Sequence, residues 1–460
     1  MPNHDGDLSS EALEHDAAQV HASDGHINAG EIAVGVIIGR TSEFFDFFVY
    51  AIASVVVFPR LIFPQLDPLE GMAASFAVFA LAFVARPFGT AFFIAIDRRF
   101  GRGARLTLAL LLLGTSTVLI AFVPSHAQVG VWAALFLALF RMGQGVALGG
   151  AWDGLPSLLA LSAPAHRRGW YAMVPQLGAP IGLIVASSLF AYFLTSLSAD
   201  DFLDWGWRYP FFCAFAINVV ALFARLRIVV TPTFQKLFDT RELQPTPVFQ
   251  AIREEGPRIV IGAFAPLASF AMFHMVTVFP LSWVFLFTKE TPSRFLLIEI
   301  AAAVAGIGAI MASGWLADRY GRRAVLAATA AAIAAFSGFA PQLLNGGSSG
   351  ELVFMMSGFI LLGLAFGQAS GSIASGFSQR NRYTASALTS DLAWLFGAGF
   401  APLAALLLSA HWGLIASGAY LLSGALVTLI ALWLNSALGG SDLPGRGPAA
   451  PKVRAVGREE

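Results

Sequence analysis

What this sequence has little of bounds it first. Only 12% of its 460 residues are charged, about half the ~25% of a water-soluble domain. A surface so poor in charge does not stay dissolved at this length, so lipid must cover much of it. Tyrosine is scarce, 7 residues against 41 phenylalanines, and rings without hydroxyls suit acyl chains better than water. The one cysteine, Cys213, excludes an internal disulfide and a CxxC metal site; it reads as a small buried thiol in an apolar run. The formal net charge is zero, so no basic excess points to a nucleic-acid partner. The first thirty residues contain no Lys, Arg or apolar core, and no cleavable signal peptide is expected there. No Walker A loop is present, which argues against direct drive by ATP. Gly346 to Gly350 matches Gly-x-Ser-x-Gly in form, but no strand precedes it, so the nucleophile-elbow context fails. Neither enzyme chemistry nor a metal or cofactor is called for.

What the sequence has in quantity is long apolar runs. Hydrophobic residues make up 57% of the chain and the mean hydropathy is +0.71. A helix needs about 20 apolar residues to cross the hydrocarbon core. Runs of that kind recur at 32–58, 71–97, 106–124, 129–160, 169–197, 208–229, 258–288, 294–316, 324–344, 352–378, 384–409 and 412–435. They are too long and continuous for the ~10-residue alternating strands of a membrane barrel, so helices are the spanning elements. The pattern predicts an all-α membrane protein with twelve transmembrane helices in two six-helix halves. Span seven contains Pro266 and Pro280 and is expected to kink.

The hydrophilic segments organise the rest. Residues 1–31 and 437–460 read as disordered polar tails, and the longest internal polar stretch, 231–257, divides a first half (32–230) from a second (258–436). Lys and Arg concentrate in even-numbered loops: Arg98, Arg99, Arg102 and Arg105; Arg167 and Arg168; the stretch from Arg225 to Arg258; Arg319, Arg322 and Arg323; Arg380 and Arg382. The positive-inside rule then places both termini in the cytoplasm. Loop two (Asp97 to Arg105) and loop eight (Gly314 to Arg323) share an Asp-Arg…Gly-Arg signature after the second span of each half, as expected of an internal repeat. Small residues four apart, Gly35/Gly39, Gly145/Gly149, Gly178/Gly182 and Gly363/Gly367/Gly371 with Ser375, predict close helix approach.

These residues resemble a known family over roughly 35–435: the major facilitator superfamily, and within it the metabolite:proton symporters. Gly314 to Arg323 matches the superfamily's loop motif Gly-x-x-x-Asp-Arg-x-Gly-Arg-Arg without a gap. Arg141-x-x-Gln144-Gly145 is similar to its membrane-embedded Arg motif. Glu43-Phe-Phe-Asp46-Phe-Phe resembles the symporters' first-helix Glu-Trp-Tyr-Asp-Phe-Phe. Arg86-Pro87, Ala163 to Tyr171, Pro175 to Pro180, Trp207 to Phe211, Thr231 to Phe234 and Arg382 to Thr384 follow in family order. The chain departs where the family has Gly-Gly-Glu-Trp-Gly-Gly: it reads Gly149-Gly150-Ala151-Trp152-Asp153-Gly154. The acid is gone from its place and an Asp stands two positions on, about 200° around a helix. Gly101 also stands one step later than the superfamily pattern.

Ionisable groups inside a membrane are expensive and functional by default. Arg40, Glu43, Asp46 and Tyr50 fall close to one face of span one. Arg40 and Glu43 form either part of the site or an i,i+3 pair that neutralises both. Arg141 either holds a neighbouring carboxylate or presents its planar fork to an anionic solute. Asp153 is either a substitute proton carrier or a packing group. Asp391 stands nine residues beyond Arg382, about 13 Å along a helix, inside the membrane. His274, Gln144 and Gln176 complete the candidates for substrate or proton coupling. Asp97, Arg98, Arg102, Asp318, Arg319 and Arg322 read as gating contacts in the cytoplasmic loops, while Arg86 and Glu299 read as span-end residues that snorkel.

The resemblance implies a major facilitator fold in a bacterial inner membrane, with small-molecule substrate, protons and lipid as partners and a monomeric assembly. It implies proton-coupled symport of a small organic solute, a carboxylate by the buried arginine. An uncoupled facilitator, prompted by Ala151, and a drug/proton antiporter are the alternatives. A membrane sensor lacks the attached soluble domain it would need, and the last residues show none of the heptads of a coiled-coil osmosensor.

Overall fold

The computed structural model describes residues 29–151, 159, 165–229, 244–369, 377, 378 and 380–437. Nine helices among them are long and apolar enough to cross a membrane. One of the nine, Pro68–Ala121, breaks at Gly101, whose φ of 85° and ψ of 168° are not helical, and so supplies two spans. Two further helices fall short for separate reasons. Ala29–Val56 carries charge in its apolar face, and Arg322–Ser337 has only 16 residues. The result is twelve.

We number them α1 (Ala29–Val56), α2 (68–100), α3 (102–121), α4 (Trp132–Gly150), α5 (Arg168–Ser196) and α6 (Tyr209–Val229) in the first half. The second half holds α7, in three pieces (Val248–Phe264, Leu267–Thr277 and Phe279–Phe287), α8 (Pro292–Tyr320), α9 (Arg322–Ser337), α10 (Gly347–Phe366), α11 (Arg382–Trp412) and α12 (Ile415–Ala437). The first piece of α7 begins ten residues before the apolar run that marks span seven, because 248–257 is amphipathic and not apolar. Glu254 there accepts from Asn381 and Glu255 from the Ser378 N–H, which ties this extension to the start of α11.

Breaks fall where the chain's local chemistry puts them. Pro266 ends the first piece of α7, and Pro280 follows the interruption at Val278. α5 is interrupted six residues in by a tight 3-10 turn, Val174–Leu177, containing Pro175. α11 carries a π turn at Leu395–Gly399 ahead of Pro402; such turns appear where a helix yields locally, frequently at functional sites. The repeat seen in sequence has a backbone counterpart. Gly101 between α2 and α3 and Gly321 between α8 and α9 adopt φ of 85° and 86°, a region costly for any residue with a Cβ. The one-residue offset of Gly101 in the motif therefore leaves the turn itself unchanged.

We call the end carrying these two loops the basic end. Among the described residues the halves meet chiefly where α5 packs on α8, α2 on α11, and α1 on the last piece of α7. Within the first half, α4 makes its most extensive contact with α2 and α3 together. A Cβ at Gly145 would collide with the Ala82 backbone, and one at Gly149 with the backbone of Arg86 and Thr90. The predicted stripe in α4 therefore packs on α2. Gly178 and Gly182 lie on α1, and Gly363 and Gly367 on α8; Gly371 and Ser375 fall outside the described residues. Gly145→Val should destabilise the protein by about 1–3 kcal/mol through overpacking, read as a lowered Tm in detergent. Gly308→Ala, with nothing within 4 Å of its added carbon, should leave Tm unchanged.

Candidate functional site

The four named residues of α1 separate into two groups. Arg40 and Glu43 pair with each other, Nη1 to Oε2 at 2.5 Å, and both line a small cavity between the halves. Asp46 and Tyr50 lie deeper and turn towards α3 and α4. Asp46 is 3% exposed. It accepts from the Thr117 hydroxyl of α3 at 2.7 and 2.9 Å. That hydroxyl accepts from Gln144 Nε2 at 2.8 Å, and Gln144 Oε1 accepts from Arg141 Nη1 at 2.9 Å. Each donor hands on to the next, so Arg141 and Asp46 are the two charged ends of one polarised chain.

Arg141 is 1% exposed. Its guanidinium stacks 4.0 Å from the Tyr50 ring centre and 4.8 Å from that of Phe79, and its Nε donates to the Phe79 carbonyl at 3.2 Å. Stacking and bonds fix the fork in place. Its Nη2 has no hydrogen-bond partner among the described residues, and the residue lines the cavity. The same wall holds Phe44, Phe47, Phe83 and Trp394. Apolar periodicity does not single these rings out from the other aromatic residues of the core, so no signal in the sequence marked them.

The cavity's third arginine corrects the snorkelling reading. Arg86 does not reach for the membrane surface. Its Nε donates to Asp391 Oδ1 of α11 at 2.7 Å, and Asp391 Oδ2 accepts from Thr90. Asp391 is thus held in an ion pair that crosses from one half to the other. Glu299 requires the same correction: it is 0% exposed and reaches Ser187 of α5, not the span's end.

The remaining candidates are placed as follows. His274 is fully buried among Phe47, Phe79, Phe83 and Phe273, with ring centres 5.3–6.1 Å away, and both its nitrogens lack partners among the described residues. Gln176 is buried on the 3-10 turn of α5, which packs on α1. Asp153 lies outside the described residues. In the loops, Asp318 accepts from the Gly169 and Trp170 N–H groups at the start of α5 (2.6 and 3.1 Å). Asp97 pairs with Arg105 at 3.1 Å, and Arg105 donates to the Tyr383 hydroxyl on α11. Each motif Asp is thus connected to the fifth helix of the other half. Arg102 lies over the Tyr383 ring. Arg98 and Arg319 are exposed, with Arg319 over its own neighbours Trp315 and Tyr320. Arg322 lies half-buried at the start of α9.

Known proteins give this arrangement a context. The family model for sugar (and other) transporters matches residues 32–260. An inner membrane metabolite transport protein of Escherichia coli K12 is 37% identical over 88% of this chain and 93% of its own length. The chain belongs to the major facilitator superfamily, among its metabolite transporters. A shikimate transporter of the same organism is 30% identical over 88% of this chain and 94% of its own length. The solved structure of a D-xylose-proton symporter shares the fold, with a TM-score of 0.66 at 19% identity over 86% of this chain and 96% of that one. This member of the superfamily is therefore a multi-pass membrane transporter of small molecules and not an enzyme.

The Arg86–Asp391 pair makes a specific demand. Removing one partner leaves a buried charge alone, at a cost of about 3–5 kcal/mol. Asp391→Asn and Arg86→Gln should each lower Tm markedly in detergent, and the double variant should regain much of the loss. Additive losses would show that the two do not interact.

Proposed function

We propose that this transporter is a proton-coupled symporter of a small organic acid. The observation that carries the reading is Arg141. It is a buried, pre-positioned guanidinium in the cavity wall whose Nη2 has no hydrogen-bond partner among the described residues, joined through Gln144 and Thr117 to the carboxyl of Asp46. Arg40 and Arg86, the other cavity cations, each face a carboxylate at 2.5 and 2.7 Å, whereas Arg141 meets Asp46 only through two neutral side chains. A carboxylate matches the planar fork and is the ligand it lacks. The rings of Phe44, Phe47, Phe83 and Trp394 suit a flat, largely apolar body behind that carboxylate.

Coupling follows from charge balance in a site of low dielectric. With Asp46 ionised, the hydrogen-bonded chain delivers its negative charge towards Arg141, and an anionic solute is redundant. With Asp46 protonated, Arg141 is uncompensated, and the solute's carboxylate restores neutrality. Proton and solute thus enter together, and both leave when the halves expose the site to the other side. With Arg40 and Arg86 each paired to a carboxylate, the charge of Arg141 is what disfavours the lipophilic cations that a drug/proton antiporter exports. With the basic loops facing the cytoplasm, both termini are cytoplasmic in a bacterial inner membrane, and the two halves of a single chain supply the whole pathway.

The test uses proteoliposomes with internal pH recorded while mono-, di- and tricarboxylates, aromatic acids and betaines are added. One acid class should acidify the lumen. Asp46→Asn should abolish uphill accumulation yet retain exchange of that acid, with binding no longer pH-dependent. Arg141→Gln should weaken binding at least tenfold. Uptake unchanged after collapse of the proton gradient sinks the reading and leaves an uncoupled facilitator.

A further inference from the structure

One buried acid is outside this network. Glu299 sits two turns into α8, 0% exposed, on the face that packs against α5. Its Oε2 lies 3.1 Å from the hydroxyl of Ser187, and Oε1 has no hydrogen-bond partner among the described residues. Its neighbours along the face, Phe295, Leu296, Ala302 and Ala303, are buried and apolar, as are Leu183, Ala186 and Phe190 of α5.

Charged groups on every element packed around α8 have other places. In the first turn of α8 itself, Arg294 pairs with Glu290 just before the helix, which also accepts from Ser348; Lys289 is exposed. Glu351 is buried near the start of α10 and adds a second acid, not a cation. The last piece of α7, Phe279–Phe287, contains no ionisable side chain. Tyr192 of α5 is 62% exposed. Arg168 of α5 and Arg322 and Arg323 of α9 belong to the basic end, where Asp318 binds the start of α5. α5 and α8 run antiparallel, so the Ser187–Glu299 contact lies about 27 Å from that end at ~1.5 Å per residue. Among the described residues, no basic side chain forms an ion pair with Glu299.

An ionised carboxylate in such a seam, with one hydroxyl for company, costs several kcal/mol. A carboxyl that keeps its proton avoids that cost and shares a neutral hydrogen bond with Ser187. We propose that Glu299 is a second proton-binding site, in the half opposite Asp46, which must hold its proton for α5 and α8 to close against each other at the end away from the basic loops. When the seam parts there, water reaches the carboxyl and the proton departs to solvent. The closed seam is therefore favoured at low pH and disfavoured as pH rises. This site needs no substrate and does not depend on Asp46 being the coupling acid.

The experiment measures spin-label distances in lipid nanodiscs without substrate, using Asp200→Cys and Lys289→Cys in a Cys213→Ser background. The labels flank the seam just beyond α5 and just before α8. The parent should show a short-distance population at pH 5 that gives way to a longer one by pH 9. Glu299→Gln, which cannot ionise, should hold the short distance throughout, while Asp46→Asn should retain the response. A response that survives Glu299→Gln, or a parent that shows none, overturns the proposal. A response lost in Asp46→Asn but kept in Glu299→Gln overturns it too and leaves the Asp46 reading standing. Should Glu299→Gln not fold, Ser187→Ala removes only a hydroxyl and must displace the pH midpoint; an unmoved midpoint refutes the role.

Discussion

Arg141 carries a positive charge into the centre of the bundle, and much of the arrangement around it follows from the need to satisfy that charge without water. Tyr50 and Phe79 offer it ring faces, the Phe79 carbonyl and Gln144 accept from it, and Thr117 passes the polarity on to Asp46. Contributions come from α1, α2, α3 and α4, so the network fixes four helices relative to one another. The tight α2–α4 contact at Gly145 and Gly149 serves the same end. It brings the backbone of α2 near enough for its carbonyl to meet a side chain of α4.

The second constraint is how two halves that must separate are held while they are together. At the basic end the fastenings are pseudo-symmetric: Asp318 holds the start of α5 directly, and Asp97 reaches the start of α11 through Arg105 and Tyr383. Deeper in, Arg86 and Asp391 join α2 to α11. At the depth of that pair and beyond it, aromatic packing joins the halves, with Phe44, Phe47 and Phe48 of α1 on Phe273 and Trp394 of the other half. Polar fastenings are directional and release in water. Ring contacts slide at little cost, so the two kinds suit opposite demands.

The fold was largely legible in the sequence, because lipid imposes one rule on every span and breaks of that rule are visible as Pro, Gly and charge. The Gly101 turn was readable from its repeat at Gly321. The site was legible only in part. Asp46, Arg141 and Gln144 stood out because a charged or amide group is rare in an apolar run. Thr117 did not, since a hydroxyl is common in membrane helices and only its position between two partners gives it a role. Arg86 and Glu299 were misread because distance along a helix measures depth but says nothing of which neighbour faces the side chain. Their partners Asp391 and Ser187 lie 305 and 112 residues away in sequence, beyond the reach of any local pattern.

The division of α7 into three pieces bears on how motion is distributed. An unbroken helix transmits a tilt from one end to the other, whatever lies along it. The middle piece of α7 is 11 residues long, completely buried, and interrupted on both sides. It holds His274 and Phe273 against α1 and α11 while its flanks follow other neighbours. Bending is then concentrated at two joints where the regular helical hydrogen bonding is already interrupted, so a displacement at either rim arrives at the centre as rotation of a short rod and not as strain in a long one.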